Sequence, residues 1–394
     1  MSNVADCELP NELIVSNILS RLPVKSILRF RCVSKSWRSL FSTPQFITMH
    51  LKKTSNNSLN HCFIIHSLDK VYSHNMSVLN INSMEKEPFP VVNPFPVFLL
   101  EMDLVGSING LVCLSWPPRG QMIVLWNPAI NLWKGIKLSD FRFQMLGKEP
   151  VQVSVGLGYD EARDDYKIVR ICSFKGLDSW GSCAEVYSVK QDSWKIVRLS
   201  FQCMEGQTRP NVIAKGIPYW AGLIGDESDE SELKAALLWF DAKNDVFRHF
   251  PAPRLLGNDH SEFKARLVEW QGCVASLLYS PTKEKLDCLD VVVYDEIKGC
   301  WERRFSFGPI GSKIYSLLQC SKDGVVLAET PEGTLFLYDP ATNGIKGYCI
   351  SGALKESFEA FSYIESLVCV EGMELVKAQD KNKFCISLDE LNIN

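Results

Sequence analysis

Few side chains in this chain are spaced for chemistry. His61, His66 and His74 fall in one short strand-rich stretch, but an alternating strand puts at most two of them on one side. That is not the spacing of a closed metal site, so satisfied or exposed imidazoles are expected. Gly156-Leu157-Gly158 begins a G-x-G, yet the third glycine and the following helix of a dinucleotide loop are missing, and Tyr159-Asp160 continues a strand. Asp164-Asp165 offers two carboxyls, but paired acids in a turn between strands make Asx-type hydrogen bonds rather than acid–base machinery. His249 and His260 stand alone, and neither a G-x-S-x-G elbow nor a phosphate-binding P-loop occurs. The run from Asp226 to Glu232 holds five acids in seven residues; a solvated loop is the expectation, and a site for a basic partner the alternative. No catalytic set, metal or cofactor is expected.

The fourteen cysteines include no C-x-x-C pair, and most sit inside apolar runs such as LVCLSW and SLVCV. They are expected to be buried free thiols acting as small hydrophobes. With no basic and apolar leader and no apolar run approaching the length of a membrane span, a reducing compartment follows, cytoplasm or nucleus.

The elements that must carry any function divide at about residue 51. Leu9 to Leu51 holds 20 apolar residues in 43 and is predicted to form three short helices. Pro10 suits a first helical turn, and that helix runs toward Leu22 until Pro23 stops it. A second helix spans about Val24 to Arg31. Ser34 caps a third, which carries Trp37, Leu40 and Phe41 and ends before Pro44.

Along the first helix, Leu13, Ile14, Val15, Ile18, Leu19 and Leu22 cover far more than the about 100° stripe that one core contact needs. A segment of about 40 residues cannot hide that surplus alone. The rest of the chain, or a second protein, must cover it. Residues 1–53 carry eight Lys or Arg against three Asp or Glu, while the remainder carries 34 against 43. A basic head suits an acidic protein partner. It lacks the arginine-rich or aromatic signature of nucleic-acid binding, and no membrane partner is expected either.

Residues 52–60, KKTSNNSLN, are predicted to be a linker. Beyond them, short runs of β-branched and aromatic residues alternate with Gly, Asn, Asp and Pro clusters. An internal repeat organises this region. Trp126 and Trp133, Tyr187 and Trp194, Phe240 and Phe247, Tyr294 and Trp301, and Tyr338 and Ile345 are each seven positions apart, with a polar turn between. Each pair is predicted to face across a hairpin.

Another pair of apolar runs precedes each hairpin, giving four strands per unit of about 45–55 residues, the size of a kelch-type propeller blade. Residues 63–79 form part of a degenerate first unit, and 361–370 supply a strand that returns to close the ring. The expected fold is α+β multidomain: a small helical head, then an all-β propeller over 61–375, then a tail over 376–394. Six blades are expected, with five or seven the neighbouring counts; a pair of sandwiches is the alternative but leaves the hairpin recurrence unexplained.

Leu9-Pro10, Ile18-Leu19, the run from Leu22 to Ser26, the run from Arg29 to Lys35, and Trp37-Arg38 together resemble an F-box, in the version found in plant F-box proteins with an F-box-associated or kelch-like domain. SINGLVCL, WNPAINLW, GLGYDEARDDYKIVRI, EVYSVKQDSW and KGIPYWAG resemble landmarks of that second domain. Ile130, Lys137-Leu138-Ser139 and the missing double glycines of true kelch repeats depart from the pattern.

The resemblance implies docking to a Skp-type adaptor and, through it, to cullin and RING subunits of a ubiquitin ligase. It implies a non-catalytic substrate receptor, with a scaffold that does not lead to degradation as the alternative and a propeller enzyme third. Carried over by position, Leu9, Pro10, Ile18, Leu19, Leu22, Pro23, Leu28 and Val33 lie at or near the adaptor interface, and Trp37 locks the helices together. With strands lettered A to D from the axis outward, the marked hairpins join C to D on the face of the A–B turns. Irregular segments on the opposite face, among them 173–183 and 223–234, are expected to bind a protein substrate, with Trp116, Arg119, Phe174, Trp180 and Arg254 as candidate contacts.

Overall fold

In every one of the five recurrent hairpins, the residue five positions after the first aromatic adopts a left-handed backbone. Asn131, Asp192, Asp245, Gly299 and Asn343 have φ of 50–66°. Only Gly, or Asn and Asp with their short polar side chains, adopts that conformation at little cost, so the polar turn between the marked residues is a backbone requirement. The register follows. Trp126 lies opposite Trp133, Tyr187 opposite Trp194, Phe240 opposite Phe247, Tyr294 opposite Trp301 and Tyr338 opposite Ile345.

The computed structural model describes residues 11–70, 74–82, 89–91, 102–116, 122–139, 150, 152–175, 180–199, 202–206, 210–226, 229–253, 264–279, 288–295, 297–350 and 353–376. They form a helical head and a six-bladed propeller. Blade 1 takes strand A from the end of the chain (Glu359–Tyr363) and B, C and D from its start (Cys62–Leu68, His74–Asn80, Phe89–Val91). The ring is therefore closed by pairing the two ends of the domain, Ile64 against Phe361 among others.

Blade 2 runs Asp103–Ile108, Leu111–Ser115, Ile123–Asn127, Leu132–Ile136, with Glu374–Leu375 added outside. Blade 3 runs Gln152–Asp160, Asp165–Lys175, Trp180–Ser188, Ser193–Val197. Blade 5 runs Lys264–Trp270, Cys273–Tyr279, Leu289–Asp295, Cys300–Phe307, and blade 6 Ser316–Cys320, Val326–Glu329, Leu335–Asp339, Gly344–Tyr348. In blade 4 two short strands, Gln202–Gly206 and Val212–Ala214, share the inner position beside Ile217–Asp226, followed by Asp229–Asp241 and Val246–Pro251. The A strands of neighbouring blades meet around the axis. Apolar layers between blades form the core, as where Val169, Val186, Trp220 and Phe240 pack together.

Two expectations about segments give way. The stretch 52–60 is not a linker: the helix Pro44–Ser55 runs through its first half, and a 3₁₀ turn (Ser58–Asn60) delivers the chain into blade 1. Lys52 and Lys53 are polar because they occupy the exposed last turn of a helix, where cations are favourable. The segments 173–183 and 223–234 are mostly ladder, since Lys175 pairs with Trp180 and Asp226 with Asp229. They are the ends of long B–C hairpins that project from blades 3 and 4. Of the predicted tail only Val376 is described, its N–H donating to Asn131 O at 3.1 Å.

Candidate protein-docking site

The head packs three ways on itself. Its first helical run begins as α-helix (Asn11–Leu13), widens to a π turn (Ile14–Ile18) and tightens to a 3₁₀ turn (Leu19–Arg21) before Pro23. Val24–Phe30 and Lys35–Leu40 follow. Ser34 caps the latter, its Oγ accepting from Trp37 N–H at 3.1 Å. Trp37 sits between Phe30 and Phe41 at centroid distances of 5.7 and 6.0 Å, in the locking position the sequence suggests. The helix Pro44–Ser55 adds Phe46, which meets Phe41 at 5.0 Å, and His50, whose Nε2–H donates to Leu22 O at 2.8 Å.

One side of the head is sealed against the disc. Leu367, from the segment after the closing strand, is buried in the same cluster as Leu19, Val24, Ile27, Phe41 and Phe46, with Ala129 and Ile130 of the blade 2 C–D turn beside it. Asn127, fully buried, holds that segment in place: its Nδ2–H₂ donates to Ser366 O at 3.1 Å and to Val368 O at 2.8 Å. The head thus sits on the face of the A–B and C–D turns. The B–C and D–A connections, with the long hairpins, occupy the opposite face.

The other side of the head stays open. Leu13 and Ile18 are each 47 % exposed and Val33 is 64 % exposed. Exposed Arg21, Lys25, Arg29, Lys35 and Arg38 belong to the same module. Of the interface residues expected from sequence, Ile18, Val33 and Pro23 are exposed, Leu22 and Leu28 half-buried. Leu19 is only 2 % exposed and belongs to the module's own core. Leu9 and Pro10 lie outside the described residues. Leu13 joins the open surface, and its place in the apolar surplus of the first helix was the signal for it.

The candidates for the opposite face are not brought together. Arg119 and Arg254 lie outside the described residues. Trp116 is half-buried at the end of blade 2 strand B, its ring against the blade 1–2 core. Phe174 is 4 % exposed within the core between blades 2 and 3, so its ring offers no surface to a partner. Its strand is covered on both faces, with residues 165–174 all buried, and that explains the burial. Trp180 begins strand C of blade 3, opposite Lys175.

Several groups weighed for chemistry are engaged in hydrogen bonds and ion pairs. His66 Nε2 lies 2.7 Å from His74 Nδ1, the two rings hydrogen-bonded to each other. Asp164 accepts from Tyr159 O–H at 2.7 Å, and Asp165 pairs with the buried Lys167 at 2.9 Å while accepting from Ser188 O–H at 2.6 Å. Eleven described cysteines are free, and burial pushes the Cys62 thiol up to about 12. No described helix is long and apolar enough to cross a membrane.

A feature no single stretch of sequence announces lies at the axial mouth beneath the head. Glu269, Lys215 and Lys322, each at or near the end of an inner strand, and His61, just before strand B of blade 1, line it together with Ile213, Ile108 and Phe361. A Cβ at Gly106 would overlap the Ile213 side chain, so this glycine lets Ile213 reach across and help close the channel.

The family model for the F-box domain matches residues 7–48, and that for the F-box associated beta propeller domain matches residues 61–301. An F-box/kelch-repeat protein of Arabidopsis thaliana is 28% identical over 384 residues, covering 91% of this chain and 95% of the relative. The Arabidopsis thaliana F-box protein CPR1 is 31% identical over 189 residues, covering 46% of this chain and 43% of its own. Protein SUPPRESSOR OF NIM1 1, from the same plant, is 28% identical over 255 residues, 61% of this chain and 63% of its own. With an F-box sequence on the helical head and the associated-domain match running through most of a six-bladed ring, the chain belongs to the F-box proteins that carry an F-box-associated β-propeller.

Proposed function

We propose that this protein is the substrate-receptor subunit of a Skp–cullin–F-box ubiquitin ligase. The head docks a Skp-type adaptor, which brings cullin and RING subunits, and the propeller face opposite the head holds a protein substrate. One observation carries the reading: after the disc has covered part of the head, Leu13, Ile18 and Val33 remain exposed. Exposed apolar residues ringed by polar ones are the mark of an interface. The basic balance of the head favours an acidic partner through long-range attraction.

In this role no residue of the chain is catalytic. Its contribution is proximity: a substrate lysine held near a charged conjugating enzyme reacts at a raised effective concentration. Rigidity serves that role. The continuous helix Pro44–Ser55 and the Leu367 contact fix head to disc, so a substrate is presented at a set distance and angle from the adaptor. The test is co-purification of the full chain with a Skp-type adaptor and cullin, followed by substrate abundance after deletion of the head. Failure to capture the adaptor would refute ligase assembly; capture with unchanged substrate levels would point to a scaffold.

A further inference from the structure

Strands B and C of blade 3 bring two thiols together. Cys172 and Cys183 lie directly opposite each other in the ladder between Asp165–Lys175 and Trp180–Ser188. Among the described ladders this is the one rung with a cysteine on both strands. Facing residues of an antiparallel pair project to the same side of the sheet, with Cα atoms about 4.5–5.5 Å apart. A disulfide spans Cα separations of about 4.4–6.8 Å, so the backbone already has the spacing a bridge needs. Both side chains pack into the layer between blades 2 and 3, where Cys172 is 1 % exposed and Cys183 half-buried. The Cys172 thiol donates a hydrogen bond to the Cys183 sulfur. That bond, with help from the Arg170 guanidinium, holds the Cys183 thiol below its ordinary range against burial and Glu185. The same bond and burial push the Cys172 thiol up.

The rung sits where the long hairpin leaves the disc. Among the described residues, strand A reaches only to Ser173, opposite Gln152, and strand D only to Ala184, opposite Val197. Beyond it, Phe174 pairs with Gly181 and Lys175 with Trp180, rungs made by the hairpin's own two strands. We propose that Cys172 and Cys183 form a redox modification site, oxidised by a peroxide to a cross-strand disulfide that staples the base of this hairpin. Cys183, the sulfur nearer solvent, attacks first as the thiolate. Its S–O bond forms as the peroxide O–O bond breaks, and the hydroxide released takes up the proton that the thiol gave, leaving as water. Cys172 then attacks the sulfur of the resulting sulfenic acid. The S–S bond forms, the S–O bond breaks, and the hydroxyl departs with the Cys172 proton as a second water. Two thiols lose two electrons in total, and one hydrogen peroxide gains them. A reducing compartment restores the dithiol, which suits a transient bridge. The site stands whether or not this face of the disc holds a substrate.

The test treats the reduced full chain with hydrogen peroxide, blocks the remaining thiols with N-ethylmaleimide under denaturing conditions, and maps the peptides by mass spectrometry without reduction. A species joining Cys172 to Cys183, short of two hydrogens and split by dithiothreitol, is expected, with free thiol lost at both positions together. In Cys172→Ser the bridge cannot form, and Cys183 should accumulate as a sulfenic acid labelled by dimedone, a label that the intact pair consumes. Should Cys172→Ser fold poorly, the map of the unsubstituted chain decides alone. Cys172 remaining a free thiol while Cys183 is oxidised, Cys183 joined to a different cysteine, or no oxidation of Cys183 at millimolar peroxide would each overturn the proposal.

Discussion

Replacing Leu13, Ile18 and Val33 together by alanine separates an interface from a core. Burying a Leu, Ile or Val side chain completely is worth about 1.5–3 kcal/mol. Leu13 and Ile18 are 47 % exposed and Val33 is 64 % exposed, so each still has roughly half of its surface to hide. Truncation should therefore cost binding about 1 kcal/mol per residue, about 3 kcal/mol for the triple variant, or about 100-fold in Kd for a Skp-type adaptor. The fold should lose little, because exposed positions away from special features shift stability by about 0.5 kcal/mol or less. Ile27→Ala is the counterpart: Ile27 is wholly buried in the head, and its truncation should destabilise by about 2–5 kcal/mol. Isothermal titration against the adaptor and urea unfolding of the same samples give both numbers. Unchanged affinity in the triple variant, or a fall in stability matching that of Ile27→Ala, would refute the assignment of this surface.

Asn127→Ala strands the buried carbonyls of Ser366 and Val368; the expected loss is about 3 kcal/mol by urea unfolding, with faster amide exchange in the segment around Leu367. Trp301→Ala removes a ring 5.6 Å from Tyr294 and 6.1 Å from Phe250, together with its N–H donation to Pro251 O at 2.8 Å. About 3 kcal/mol should follow, and a change of surface size would contradict the blade 4–5 packing. Glu269→Gln has a pH signature. Burial raises the folded-state pKa of Glu269 above the ordinary value of 4.5, so the folded protein loses stability as pH rises from that ordinary value to the folded pKa, where the loss is complete. The Gln variant escapes that penalty, and its stability relative to wild type should increase with pH from about 4.5 upward; a pH-independent difference would show that the carboxyl ionises freely.

What the sequence revealed depended on whether the physics was local. The C–D hairpins were legible because facing partners and the left-handed turn residue fall within eight positions and recur five times. Ser34 was legible as a cap for the same reason, since its acceptor and the Trp37 N–H are three residues apart. Long polar stretches misled, since Lys52 and Lys53 lie on the exposed side of a helix and Asp226 pairs with Asp229 in a hairpin ladder. The axial mouth was hidden for the opposite reason. Lys215, Glu269 and Lys322 lie about fifty residues apart, each next to an ordinary turn, and only ring closure brings them together.

The open side of the head also follows from how the ring closes. The closing strand Glu359–Tyr363 comes from the end of the domain, so the residues after it emerge at the face where the A–B turns lie. Ser366 is pinned there by Asn127 and by its own O–H donation to Asn109 O at 2.6 Å, and a side chain at Gly110 would collide with it. This anchoring presents Leu367 as a plug for the head's core. A forty-residue helical module that cannot bury its surplus alone thus borrows one leucine and the blade 2 turn from the disc. Leu13, Ile18 and Val33, which the disc does not cover, stay exposed. The disc supplies the stability the head lacks, and that leaves this surface free to serve a second protein.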